Sequence, residues 1–191
     1  YIPAPLSFSG GVTIAKAQLN ELQGQFDLIM LHHVFEHLPD PLQTLRDARR
    51  LLAPNGMLLL RFPSSPCEAL DIYGADWVQL DAPRHLHIVS RAGLARLAVK
   101  ADLQLVSWAQ DSGPLQFWGS EQYQLDIPLF DARSYAQDSR AIPEARYREL
   151  EARAATLNAA GRGDQSVAVL AAATSSPSHA RTHDDDDRIS G

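Results

Sequence analysis

The chain has one cysteine, Cys67, and so no partner for an internal disulfide. It has no apolar run long enough to span a bilayer and no charged-then-apolar signal segment at its start. Cations are in deficit: 17 Lys and Arg face 23 Asp and Glu, the net charge is -6, and the basic residues are scattered. That scatter excludes the cationic footprint that nucleic acid or an anionic membrane surface requires. The expectation is a cytoplasmic chain acting on a small molecule, with no nucleic-acid or membrane partner. Composition leaves the oligomeric state open.

Apolar residues make up 45% of the 191, enough for one compact core, and one α/β-sized domain fits better than two. Residue 1 is a tyrosine, and Tyr1-Ile2-Pro3-Ala4-Pro5 carries no helix or strand pattern, so the chain is expected to begin mid-protein.

Glycine punctuates two β-favouring runs: Gly10-Gly11 precedes residues 12–15, and Gln23-Gly24 precedes residues 26–31. The second run is nearly all apolar, the pattern of a strand covered on both faces in a parallel sheet. Asp40 followed by Pro41 signals a helix start, with the carboxylate as cap and proline in the first helical position. Leu42, Leu45, Ala48 and Leu52 form one stripe of that helix, which is expected to reach about Ala53 and stop at Pro54-Asn55-Gly56. A strand over 57–62 then completes a βαβ unit, with the right-handed crossover such units adopt.

Residues 64–89 read as an irregular functional lid or loop carrying Trp77, Asp81, Arg84, His85 and His87. Ser90 caps a second helix, Asp102 takes the left-handed turn after it, and a strand covers 103–108. Residues 117–163 read as an inserted cover, loop at first and then helical from Pro143, with Tyr147, Leu150, Ala154 and Leu157 on one face. A last strand covers 166–171, and 175–191 reads as a disordered tail.

The sharpest local feature is His32-His33-Val34-Phe35-Glu36-His37, at the C-terminal end of a buried strand and before a capped helix. Open α/β sheets bind ligands at that edge. Phe26-Asp27-Leu28-Ile29, Val34-Phe35-Glu36-His37-Leu38, Asp40-Pro41 and Leu51-Leu52-Ala53-Pro54-Asn55-Gly56, in that order, resemble the fourth-strand block of class I S-adenosylmethionine-dependent methyltransferases. Pro83-Arg84-His85-Leu86 and the closing Gly161-Arg162-Gly163-Asp164 strand resemble one broad subgroup of that family, and the likeness runs over about residues 12–172.

The resemblance implies an α/β fold: a Rossmann-like, partly parallel sheet with an antiparallel C-terminal hairpin, N-terminal strands missing. Residues 1–174 then form an incomplete methyltransferase domain. It also implies S-adenosylmethionine at the C-terminal strand edge and in-line attack on the sulfonium methyl by an acceptor atom. By position in the family, Gln18, Leu19 and Asn20 would flank the adenine, and Leu31 and His32 would lie beside the methionine part. The family's glycine-rich loop and its ribose-holding acidic residue have no counterpart in these residues, and Gly10-Gly11 is no substitute. Methyl transfer to a small-molecule or sugar-like acceptor is therefore the expected function, with these 191 residues inactive by themselves. A non-catalytic methyltransferase-like scaffold is the alternative.

The candidate catalytic residues are His33, Glu36, His37 and His85, and three readings of them stay open. In some branches of the family the same spacing holds a divalent metal, with a carboxylate in place of His33, and His85 or His87 is a candidate further ligand. Alternatively no metal is present and His37 or His85 serves as general base. Or Glu36 and His37 only organise the turn through backbone hydrogen bonds. His33-x-x-Glu36-His37 also matches the inverted zinc-peptidase string, although that motif needs a helix where Pro39 and Pro41 stand. For Trp77 the expectation is packing, with substrate stacking the lesser alternative.

Overall fold

The structure, a computed structural model, describes residues 5–173; the tail expected over 175–191 lies outside the described residues. Strands β1 (Leu6–Ser7) and β2 (Thr13–Ile14) form a small antiparallel hairpin around Gly10 and Gly11, both at positive φ. The run expected as a strand over 12–15 is thus extended only in part, and it pairs with Leu6 and Ser7 rather than with the main sheet.

The main sheet has four strands: β3 (Phe26–His32), β4 (Leu52–Pro63), β5 (Leu103–Gln110) and β6 (Gln165–Ala172), in the order β3-β4-β6-β5. β3 and β4 are parallel, while β6 runs antiparallel to both β4 and β5. This is the mixed, partly parallel sheet with an antiparallel C-terminal pairing that the sequence led us to expect. Helix α1 (Pro41–Leu51) starts where Asp40 accepts the Gln43 backbone N–H at 2.9 Å. It ends two residues before the expected Ala53, because β4 begins at Leu52 to pair with Phe26. Gly56 is obligatory there: a Cβ would stand 2.6 Å from the Phe26 carbonyl oxygen.

Helix α3 (Arg91–Lys100) is capped by the Ser90 hydroxyl at the Gly93 N–H, 3.0 Å, and Asp102 behind it is left-handed at φ 54°, both as expected. α1 and α3 cover one face of the sheet. Leu45, Ala48, Leu58, Leu60, Phe62, Leu94 and Leu170 are buried between them. Burial of each leucine or phenylalanine among them contributes on the order of 2 kcal/mol. On the opposite face Leu28, Met30 and Met57 are exposed, Met30 to 61%.

Two loop readings are corrected. Residues 64–89 contain helix α2 (Glu68–Tyr73) and two short 3-10 turns, and residues 115–124 form helix α4 (Leu115–Gln124), where loop was expected. Gly119 and the β-favouring Phe117, Trp118 and Tyr123 hide that helix in the sequence. Gly119 is needed because a Cβ would lie 2.9 Å from Val78, so tertiary packing overrides propensity. α2, α4 and α5 (Glu144–Ala159) share a second core of Trp77, Phe117, Leu150 and Ala154. Trp77 is buried there and its Nε1 donates to the Asp164 carboxylate at 3.0 Å, which is packing rather than substrate stacking.

Candidate active site

Parallel β3 and β4 pair as far as His32 and Arg61, and the chain after β3 must turn sharply to reach Asp40. It does so through His33, a non-glycine residue at φ 51°, and a 3-10 turn at Phe35–His37. A left-handed backbone at a histidine costs on the order of 1 kcal/mol and needs surrounding structure to hold it. The holding contacts begin with Arg61 on β4, whose carbonyl accepts the His33 N–H at 2.8 Å.

Arg61 also donates through one terminal nitrogen to the Nε2 atoms of His32 (3.0 Å) and His33 (3.1 Å). A guanidinium has no acceptor, so both Nε2 atoms carry lone pairs and the His33 proton sits on Nδ1. That Nδ1–H faces Oε1 of Glu36 at 3.3 Å. Burial depresses the His33 pKa; Glu36 pulls it up and Arg61 pushes it down, leaving it below the ordinary imidazole value.

Glu36 is 1% exposed, and its Oε2 has no hydrogen-bond partner among the described residues. Two imidazoles lie beside it. His37 donates Nδ1–H to the Arg84 carbonyl at 2.9 Å, and His85 donates Nδ1–H to the Gln79 carbonyl at 2.7 Å. Carbonyl oxygens only accept, so in the neutral form each ring has its lone pair on Nε2, and that of His85 lies 3.8 Å from Asp81 Oδ2. The ring centres are 4.8 Å apart, and one donor atom from each of Glu36, His37 and His85 lies within 4.8 Å of the others. The Leu86 N–H donates to the Glu36 carbonyl at 2.9 Å and fastens the loop that carries His85. His87 stands outside the group, with Nε2 3.3 Å from the Phe35 carbonyl.

The four candidate catalytic residues therefore meet, but not as a zinc-peptidase site. That site needs both histidines on one helical face, whereas His33 precedes the turn and its Nε2 faces Arg61. Beside the turn lies a cleft of about 490 Å³, a size suited to a small molecule, lined in part by Gln18, Leu19, Asn20, Leu31, Val34 and Leu38. Of the candidate cofactor residues only His32 stays outside it, its ring engaged by Arg61.

Three contributors were missed in the sequence. Arg61 and Asp111 are joined at 2.6 Å across the sheet edge. Arg50 donates to the carbonyls of Leu22 (3.0 Å), Leu19 (3.3 Å) and Asn20 (3.3 Å), and so pins the cleft wall. Long-range pairing of exposed charges leaves no local signal.

The fold and this strand-edge site describe an α/β protein with a cleft beside a polar cluster at the end of its parallel strands. A methyltransferase-domain model matches residues 10–108, just over half of the chain. The chain belongs to the class I S-adenosylmethionine-dependent methyltransferase family, as its motifs implied. It is 36% identical over 93 residues to a ubiquinone biosynthesis O-methyltransferase of Xanthomonas oryzae pv. oryzae, an alignment covering 44% of this chain and 38% of that protein. With the protein of the same description in Pseudomonas paraeruginosa the identity is 29% over 103 residues, 52% of this chain and 40% of the relative. The chain thus spans about two fifths of the length of the curated relatives it matches. Among solved structures, an S-adenosylmethionine-dependent methyltransferase of Thermotoga maritima, a possible histamine N-methyltransferase, aligns over 86% of this chain and 65% of its own, with a TM-score of 0.49 and 14% identity.

Proposed function

We propose that this chain carries the acceptor side of an S-adenosylmethionine-dependent O-methyltransferase that acts on a hydroxyl of a small molecule, with a divalent cation held by Glu36, His37 and His85. The observation that carries the reading is the Glu36 carboxylate: its Oε2 is buried and without a protein donor, beside two imidazoles whose Nδ1 atoms are already committed to backbone carbonyls. Metal-ligating histidines are commonly anchored in this way through their other ring nitrogen. Two nitrogens and one carboxylate oxygen suit zinc, manganese or cobalt better than magnesium.

The cation would polarise the acceptor hydroxyl and lower its pKa. The chain's own residues supply the rest. Glu36 contributes the negative charge, and His37 and His85 hold their lone pairs toward it. Gln18, Leu19, Asn20 and Leu31 wall the cleft for the cofactor. As the acceptor oxygen bonds to the methyl carbon, the carbon–sulfur bond of the sulfonium breaks. The hydroxyl proton passes to solvent water, which completes the balance.

The test is equilibrium dialysis of the chain against Mn²⁺ and Zn²⁺, together with transfer of labelled methyl from S-adenosylmethionine to small hydroxyl acceptors by the whole gene product. One ion per chain, lost in Glu36→Ala, and chelator-sensitive transfer are expected. No stoichiometric ion would remove the cation. No labelled product with any acceptor would favour the second reading, a methyltransferase-like scaffold.

A further inference from the structure

The hydrogen bonds at the strand edge form one line across the sheet. Gln165, the first residue of β6, donates Nε2–H to Asp111 Oδ1 at 2.9 Å. Asp111, just beyond β5, accepts from Arg61 Nε at 2.6 Å through its other oxygen. Arg61 donates to His33 Nε2 at 3.1 Å, and His33 Nδ1 reaches Glu36 Oε1 at 3.3 Å. Each link fixes the next: an aspartate orients the guanidinium, the guanidinium permits one tautomer of the imidazole, and that tautomer has one proton to give.

We propose that Arg61 and His33 are positioning residues, which turn the Glu36 carboxylate so that Oε1 is occupied and Oε2 is presented to the cation, and that His33 is not itself a ligand. The role rests on the cation reading above. Both ring nitrogens of His33 are spent, one as acceptor from Arg61 and one as donor to Glu36, so neither has a lone pair for a metal. The left-handed backbone at His33 is explained by the same contact. It lets a side chain three residues before Glu36 face the carboxylate although no regular helix joins them. Donors that fasten a metal-binding side chain in this way change metal affinity by about 10- to 100-fold.

Two measurements on the full chain decide the matter. Nitrogen-15 NMR of the metal-free protein reads the His33 tautomer, expected as Nδ1–H in the wild type and released toward Nε2–H in Arg61→Met. Titration with Co²⁺, followed by visible absorption, reads the site. His33→Gly accepts the positive φ without strain but leaves Glu36 Oε1 without its donor, so it should melt somewhat lower than the wild type while staying folded, and bind Co²⁺ at least about tenfold more weakly. His33→Asn, which tolerates the same backbone and offers an amide donor, should recover most of that loss. Wild-type affinity in His33→Gly would overturn the proposal, as would an Nε2–H tautomer in the wild type. A Co²⁺ spectrum that loses one imidazole in both His33 variants would make His33 a ligand and overturn it too. Should the wild type bind no Co²⁺, the cation reading fails, and the tautomer measurement alone still decides whether Arg61 and His33 orient Glu36.

Discussion

His37 donates its Nδ1–H to the carbonyl oxygen of Arg84 across 47 residues of sequence, at 2.9 Å. This bond joins the turn after β3 to the loop that delivers His85, so one imidazole both orients itself and places its neighbour. His37→Ala is expected to weaken Mn²⁺ binding more than tenfold in calorimetry, because a ligand and an anchor are lost together. His87→Ala removes an imidazole of the same loop whose hydrogen bond, among the described residues, is to the Phe35 carbonyl, and should leave Mn²⁺ affinity within about threefold. Equal losses in the two variants would mean that the loop, not the cluster, binds the ion.

Glu36 separates function from stability in a different way. A buried carboxylate with one unpartnered oxygen costs about 1–3 kcal/mol, and that cost falls on the metal-free fold. Glu36→Gln keeps an acceptor for His33 and removes the charge. Its melting temperature in the presence of chelator should equal or exceed that of the wild type, while ion binding and turnover fall. A variant that melts several degrees lower and still binds the ion would make Glu36 a structural residue of the turn.

The site was legible where its chemistry is local. The apolar run at 26–31, the Asp40-Pro41 helix start and the Glu36-His37 pair before it lie within about fifteen residues, and each has a periodicity or a cap that sequence alone displays. The helix at 115–124 was not legible, because Gly119 and its aromatic neighbours argue against helix until Val78 is known to press on that glycine. His85 was a candidate among several histidines, and only the bonds to Gln79 and from Leu86 to Glu36 bring it, rather than His87, into the cluster. Arg61 on β4 and Asp111 just beyond β5 stand 50 residues apart, so their pairing exists only once β6 is inserted between β4 and β5.

Arg50 offers a test of the cleft wall that needs no ligand. Its guanidinium holds three carbonyls of the 19–22 segment, whose Leu19 also packs against the core that α1 helps to form. In Arg50→Ala, amide hydrogen exchange over residues 18–22 should accelerate on the order of tenfold, about 1.4 kcal/mol of lost protection. Exchange in the body of α1 should stay as it was, since Leu45, Ala48 and Leu51 keep their burial. Uniform acceleration through α1 would show that Arg50 supports the helix rather than the wall.

Asp164 carries the clearest dependence on pH. It is 1% exposed, and burial pushes its carboxyl up to about 6, against the opposing hydrogen bonds from Trp77 and Ser112. The unfolded chain ionises an aspartate near about 3.9, so the folded state holds this proton over a window in which the unfolded state has released it. Folded chains therefore bind more protons between about pH 4 and pH 6, and stability falls as pH rises through that window. Below it the contribution is fully present; above it the whole cost, about 3 kcal/mol at most, has been incurred. Asp164→Asn imitates the protonated acid and keeps an acceptor for Trp77 Nε1. Urea unfolding at pH 4.5 and pH 7.5 should show the variant gaining on the wild type at the higher pH by a large part of that amount. If the difference between the two proteins is the same at both pH values, the Asp164 proton is not linked to folding, and the buried Trp77 bond is made to a carboxylate that water still reaches.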